Sequence, residues 1–280
     1  MERTDDQAGT AFAWNVLGRA YGGCGQYDQA FAAFYRSRDL AETIDHHFLI
    51  AQVPNMLGWL HQQLGDYAGA RHYDEEGVAL ARSWDKLHAE ISASLNVQLD
   101  ILHLGDPAAA LAGLHELAQR IADAAFGFHA WRWQLRLAHS KGLCHLALGE
   151  VEPALRQAVQ GMKVAQSTTS RKYIALNHEL KGAVLAATAV ATDHWEDAAA
   201  ELRSAIALAD QISYQPLRWQ GRHRLATVYA ALGDRAQQQS TRVEAQTIVA
   251  SIAQALGNRQ LRMIFLANEL VRTIQGETDG

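Results

Sequence analysis

The histidines and cysteines are the residues of this chain best suited to metal or nucleophilic chemistry. Thirteen His and two Cys occur in 280 residues. Two His-Glu pairs (115–116 and 178–179) begin the His-Glu-x2-His string of zinc proteases, but the second His is absent from both. Cys144 and His145 with His139 come nearest to a ligand set. His139 and Cys144 are five residues apart, a poor match to one helix face. We therefore predict packing or hydrogen-bonding roles for them and no metal site.

Catalytic motifs are absent from the sequence. No Gly-Lys pair occurs, so the P-loop that cradles nucleotide phosphates is missing. No Gly-x-Ser-x-Gly elbow is present either. No nucleophile stands at a meaningful spacing from an acid or a base. We expect no enzymatic activity, no catalytic residue and no cofactor.

The composition restricts the partners and the compartment. The net charge of −5 and the pI near 6.2 argue against direct nucleic-acid binding, for which a basic domain is expected. The longest apolar run, near 183–191, falls far short of the ~20 residues that span a bilayer. The N-terminus lacks the basic and apolar regions of a signal peptide. Cys24 and Cys144 lie far apart, so a disulfide framework is implausible and a cytoplasmic location is expected.

A repeated turn organises the rest of the chain. Its first positions are Gly25, Gly65, Gly105, Gly149, Asp193 and Gly233. An alanine follows five residues after each of the first five, whereas Gln238 holds that place in the sixth. The intervals are 40, 40, 44, 44 and 40 residues, a period typical of helical-repeat proteins. Glycine can end a helix in the left-handed conformation, and the Asp that follows at 66, 106 and 234 can cap the next helix. Each unit is therefore predicted to be a helix, a tight turn and a second helix.

This pattern predicts an all-α fold in one domain over residues 1–280. The predicted units are 11–50, 51–90, 91–130, 131–174, 175–218 and 219–256, followed by a capping helix over 257–275. A terminal repeat is expected to be atypical, because one of its faces has no neighbouring repeat.

The residues before each turn resemble the tetratricopeptide repeat. In the first unit the matching residues are Trp14, Leu17, Gly18, Tyr21, Tyr27, Ala30 and Phe34, and Leu57, Gly58 and His61 repeat part of the pattern. The resemblance extends over roughly 11–250. It implies an α-solenoid of about six antiparallel helix pairs wound into a right-handed superhelix. Proteins of this family bind a protein or a peptide in the concave groove.

The resemblance also implies which residues line that groove. The family places them on the first helix of each pair, which here gives Asn15, Arg19, Asn55, Trp59, Arg136, His139 and His223. Asn amides can bond both donors and acceptors, and the Trp59 ring offers a stacking surface. These residues would suit a peptide backbone or a sugar. The alternative is a hydrated groove whose polar residues support the helices.

A local group of arginines follows at the start of the sixth unit. Arg218 and Arg222 are one helical turn apart and share a face, and Arg224 lies close by in sequence. An acidic partner could bind there, and a solvated helix surface is the alternative.

The C-terminal segment from Leu256 to Leu266 resembles the ends of large bacterial signalling proteins. In these proteins a STAND-type switch ATPase or a cyclase precedes a helical repeat region. The resemblance implies an upstream ATPase or cyclase domain in the same chain. We therefore expect a non-enzymatic module that binds a protein or peptide partner in signalling or transcriptional regulation. A sensor that binds a sugar or metabolite in its groove is the alternative.

Overall fold

The computed structural model describes residues 6–124, 126–127, 130–189 and 192–276. These residues form fourteen α-helices and no β-strand. In chain order the helices are α1 (Gln7–Gly23), α2 (Tyr27–Thr43), α3 (His47–Leu64), α4 (Tyr67–Ser83), α5 (Leu87–His103), α6 (Pro107–Asp123), α7 (Ala130–Ala147), α8 (Val151–Ser167), α9 (Arg171–Thr188), α10 (Thr192–Gln211), α11 (Gln215–Ala231), α12 (Arg235–Ala255), α13 (Arg259–Ala267) and α14 (Glu269–Gln275). The all-α prediction is confirmed.

The chain divides into two compact units. The first consists of Met1–Gly105 and Ala255–Asn268, and the second of Asp106–Gln254 and Glu269–Gly280. The single domain and the repeat boundaries predicted from the sequence stay predictions.

Within each unit, consecutive helices pack against one another. In the first unit α1 to α5 pack in chain order, and the first helices of successive pairs, α1, α3 and α5, also touch. In the second unit α6 to α11 pack in the same way, and α9 contacts both α7 and α11. This packing of successive helix pairs is that of an α-solenoid of the tetratricopeptide type, so the predicted fold class is confirmed.

The turn inside each pair forms as its residues dictate. Gly65 adopts a left-handed φ of 80° at the end of α3. The carboxylate of Asp66 then accepts a hydrogen bond of 2.9 Å from the Gly69 amide and so caps α4. An L-residue other than Gly would be strained at such a φ, and an Asp N-cap satisfies an amide that the helix leaves unbonded.

The turns between pairs are also periodic, although the sequence analysis did not recognise them. Their left-handed residues are Asp45, Asp85, Thr169 and Ser213, with φ between 51° and 55°. Gly127, between α6 and α7, is also left-handed with a φ of 52°, but no glycine marks the other four positions, so they lack the signal that revealed the turns within pairs.

The C-terminal stretch forms two short helices where one capping helix was predicted. The side chain of Asn258 caps α13 by accepting hydrogen bonds from the amides of Gln260 and Leu261, at 2.9 and 3.2 Å. The Gly257 amide donates a 2.5 Å hydrogen bond to Asp28 of α2, and α13 contacts α3. The helix α13 therefore belongs to the first unit.

Candidate functional site

In the first unit, α1 and α3 are the first helices of two successive pairs, and both expose side chains on one face. Phe12 and Arg19 lie on one face of α1, and Phe48, Gln52 and Trp59 lie on one face of α3, at spacings close to helical turns. The Phe12 and Phe48 rings stack with their centroids 6.2 Å apart. All five side chains are exposed or half-buried. We call these five residues the α1–α3 strip.

Trp59 is held in place by a glycine on the neighbouring helix. A Cβ atom on Gly22 of α1 would lie only 2.7 Å from Cζ3 of the Trp59 ring. The ring therefore packs against the backbone of α1, and only part of it is buried. Arg19 lies one helical turn before Gly22 on α1. A fixed, half-exposed Trp near an Arg is the residue combination that dominates many binding interfaces.

The two asparagines that were predicted to line the groove are buried. Asn15 is 2% exposed and Asn55 is 0% exposed. The Asn55 Nδ2 donates a hydrogen bond of 2.6 Å to Asp74 of α4, and its Oδ1 accepts one of 2.9 Å from Ser92 of α5. The Asn15 Nδ2 has no hydrogen-bond partner among the described residues. In this structure, Asn55 connects three helices and does not reach the surface.

Asp74 takes the place of a core aromatic residue. It lies 40 residues after Phe34, whose ring packs against Gly18 of the first repeat. A Cβ atom on Gly58, the counterpart of Gly18, would lie 2.4 Å from Asp74 Oδ2. The same small residue therefore makes room for a phenyl ring in the first repeat and for a carboxyl group in the second.

The same network of hydrogen bonds includes a second buried carboxyl group. Asp74 and Asp100 of α5 are both 0% exposed. Asn96 donates to Asp74 Oδ1 at 3.2 Å, and Gln62 donates to Asp100 Oδ1 at 2.7 Å. Burial raises the pKa of Asp100 to about 7, although the hydrogen bonds from Gln62 and Asp74 oppose that shift.

In the second unit, two predicted groove residues lie near aromatic rings, among them the half-buried Tyr173. Arg136 lies over the Trp133 ring, 5.9 Å from its centroid, and His139 meets Tyr173 of α9 edge-on at 6.4 Å. Burial raises the pKa of Tyr173, and the charge of Arg136 partly offsets the effect. The structure therefore brings Arg136 and His139 together on α7.

The predicted arginine patch is compensated by carboxylates. Arg218 and Arg222 both bond Asp210 of α10 at 2.8 Å, and Arg222 also bonds Glu244 at 2.7 Å. Arg224 instead bonds Glu179 of α9 at 2.6 Å. Binding of an anionic partner at this patch stays a prediction.

His223, on the same helix, has a lowered pKa. Burial is the main cause, and the charges of Arg224 and Arg242 add to it. A role of His223 in the groove stays a prediction.

The second unit also contains an open cleft. Its volume is about 420 Å³, and it is lined by Thr192, Glu196, Ala199, Arg203, Tyr229, Leu232 and Asp234. None of these residues was predicted to bind a ligand. Within the described part of the chain, no group of three His, Cys, Asp or Glu side chains could hold a metal ion. No helix among the described residues is long and apolar enough to cross a membrane.

Sequence reasoning missed several residues of these sites for identifiable reasons. Phe48 lies outside the spacing that the family resemblance carried over. Tyr173 falls at the end of the predicted unit 131–174, whereas the structure places it on α9, the first helix of the next pair. Asp74 did leave a signal, because a carboxylate stands where the preceding repeat has Phe34. Polar residues at predicted core positions point to a buried network that needs partners on neighbouring helices.

These features define a helical-repeat protein with a side-chain strip on its first helices. Residues 9–83 match the model of the tetratricopeptide repeat family. No curated protein matches the sequence.

Three solved structures are similar to this chain, and one of them supports a likeness in fold. A complex of the Rap conjugation gene regulator of plasmid pLS20 with the Phr* peptide is similar, with a TM-score of 0.71 and 15% identity over 92% of this chain and 68% of that one. A thermophilic TPR protein of Thermus thermophilus is 21% identical over 79% of this chain and 99% of its own, with a TM-score of 0.49. The TPR2AB-domain complex of yeast Sti1 with pHSP90 is 15% identical over 92% and 98%, with a TM-score of 0.36. Only the first of these supports a comparison of folds.

Proposed function

We propose that this chain is a non-enzymatic tetratricopeptide module that binds a peptide segment of a protein partner along the α1–α3 strip. The observation that carries the proposal is the Trp59 ring, which packs against the backbone at Gly22 and stays half-exposed near Arg19. A rigid aromatic side chain loses little conformational entropy when a ligand covers it. The likeness in fold to a regulator that was solved with a bound peptide supports the same kind of ligand here.

We extend this proposal to a role in bacterial signalling or transcriptional regulation, in the cytoplasm and within a larger regulator. The resemblance of the segment from Leu256 to Leu266 to the ends of ATPase- or cyclase-linked proteins supports that context. Neither Cys24 nor Cys144 forms a disulfide, which suits a reducing compartment. An upstream reading frame that encodes an ATPase or a cyclase would support the assignment, and a gene that begins at Met1 with no such partner would contradict it.

A peptide library selected against the whole chain tests the binding function. The peptides that it yields are measured by fluorescence anisotropy against Trp59→Ala and Arg19→Ala variants. We expect Trp59→Ala to weaken binding at least ~10-fold, because truncation of a central Trp commonly costs 2 kcal/mol or more. The control is Tyr35→Ala, an exposed aromatic residue on α2 outside the strip, which should bind normally. Equal affinities for all variants, with unchanged circular dichroism spectra, would contradict the proposal that the peptide binds along the α1–α3 strip.

A further inference from the structure

The first helix carries an apolar face that no other helix pair covers. We call this the outer face of α1, and its residues recur at helical spacing: Thr10, Ala13, Leu17, Ala20 and Cys24. All five are exposed, and Leu17 at the centre is 41% exposed. The half-buried Trp14 and Tyr21 flank them along one edge. No helix precedes α1 in the part of the chain that the structure describes, so this face has no neighbouring pair.

The equivalent face of the second repeat is part of the core. Forty residues later, its members on α3 are Ile50, Val53, Leu57, Leu60 and Leu64, and none of them is more than 9% exposed. The preceding helices α1 and α2 both contact α3, and a Cβ atom on Gly22 of α1 would lie 2.6 Å from Leu60 Cδ2. The outer face of α1 is therefore at the position of a contact between repeats, but it is uncovered.

The two ends of the repeat series differ. A terminal repeat needs a polar outer face to stay soluble on its own. At the C-terminal end, α14 buries Val271 and Ile274, and the Ile274 carbonyl accepts a 2.8 Å hydrogen bond from Gln246 of α12. That end has a cap, which disfavours a head-to-tail contact with the outer face of α1.

Charge is absent from the outer face of α1. Arg19 is the only charged residue from Gln7 to Gly23, and it lies roughly 160° around the helix from Leu17. Covering the outer face therefore removes no ionised group from water, and two such faces do not repel each other.

We propose that the outer face of α1 is the interface of a homodimer, in which two copies of this chain pack antiparallel about a two-fold axis at Leu17. The same surface serves both subunits of a two-fold dimer, so it must be complementary to itself. Leu17 meets Leu17 of the partner subunit on the axis. Trp14 lies at the level of Ala20 of the partner subunit, and Tyr21 lies at the level of Ala13 of the partner subunit. A large and a small side chain thus share each level of the contact, which lets the two faces interdigitate.

The rim of this interface is polar, and the peptide strip stays free. Arg36 of α2 lies over the Trp14 ring, 4.7 Å from its centroid. Trp, Tyr and Arg are enriched where protein surfaces associate. Phe12 and Arg19 of the α1–α3 strip lie on the other side of α1, so the dimer presents two strips and does not depend on what they bind.

Sedimentation equilibrium of the full chain tests the dimer. The interface is one helix wide, so we expect a Kd in the micromolar range. Leu17→Arg places two like charges on the axis and should raise the Kd at least ~100-fold with an unchanged circular dichroism spectrum. The control Val16→Arg adds the same charge at a more exposed side chain outside the outer face, and it should change the Kd by no more than about 2-fold. A wild type that stays monomeric far above micromolar concentrations, or equal effects of the two substitutions, would overturn the proposal.

Disulfide trapping tests the two-fold geometry and does not require a charged variant to fold. Leu17→Cys places the thiols of both subunits next to the axis, within the separation that a disulfide allows. We expect mild oxidation to give a covalent dimer of this variant on non-reducing electrophoresis. Neither Val16→Cys nor the wild type should give one, because the Cys24 thiols of the two subunits lie roughly 20 Å apart in this arrangement. Failure of Leu17→Cys to cross-link, or equal cross-linking of Val16→Cys, would overturn the proposal.

Discussion

Replacing Asn55 by alanine tests whether the second repeat is held together by its buried polar network. The substitution removes the 2.6 Å hydrogen bond to Asp74 and leaves the Ser92 hydroxyl without its 2.9 Å acceptor. A buried polar group that loses its hydrogen-bond partner costs roughly 1–3 kcal/mol, and this substitution affects two such groups. We therefore expect Asn55→Ala to lower the free energy of unfolding by about 3 kcal/mol.

Asn15 supplies a matched control at the equivalent position of the first repeat. It lies 40 residues earlier and is also buried, but its Nδ2 has no partner among the described residues. Removal of an amide that is not fully bonded relieves part of its desolvation penalty. Asn15→Ala should therefore cost about 1 kcal/mol or less.

Urea denaturation followed by circular dichroism at pH 6 measures both variants. Amide hydrogen exchange over α3 and α5 then shows whether the loss is local to the network. Equal losses for Asn15→Ala and Asn55→Ala would refute the reasoning. If Asn55→Ala had normal stability but weakened peptide binding, Asn55 would be a ligand-binding residue of the groove and not a structural one.

Two further predictions concern the backbone. Gly58→Ala places a Cβ atom 2.4 Å from Asp74 Oδ2 and should lower the free energy of unfolding by about 1–3 kcal/mol. The control is Gly23→Ala, whose Cβ would meet no neighbouring atom within 4 Å and which should be neutral or stabilising. Thermal melts of both variants measure the difference. Thr169→Gly should stabilise by up to about 1 kcal/mol, because a β-branched residue holds a φ of 51° there. The control is Thr168→Gly, at a residue with a φ of −104° whose hydroxyl donates a 2.7 Å hydrogen bond to Val164, and it should destabilise the protein. A higher melting temperature for Thr168→Gly than for Thr169→Gly would contradict this reasoning.

The regular part of the fold could be predicted because its signals are local. Gly65 and Asp66 encode a helix end and a helix start within two residues, and their recurrence gives the period. The turns at Asp45 and Thr169 close with the same backbone hydrogen bonds, from the His46 amide to Ala41 and from the Ser170 amide to Ala165, but no glycine marks them in the sequence.

The candidate site was only partly predictable, because burial depends on contacts between repeats. Trp59 and Asn55 are one helical turn apart and both were predicted to face the groove, but only Trp59 reaches the surface. The difference follows from Asp74, whose carboxyl group bonds the Asn55 side chain in the interior. Family spacing identifies the helix face, whereas the residue on the neighbouring helix decides how deeply each side chain lies.

The position of the network also bears on how a repetitive chain selects its own pairing. Similar hairpins that recur every 40 residues could in principle pack against the wrong neighbour. Asp74 finds hydrogen-bond donors in Asn55 and Asn96, whereas the corresponding pocket of the first repeat packs Phe34 against Gly18. An exchange of partners would bury a carboxyl group against apolar atoms, at a cost of several kcal/mol, on the order of that for an unpaired buried charge. Because a buried polar network adds little net stability over an apolar core, we infer that its main effect here is to discriminate between pairings.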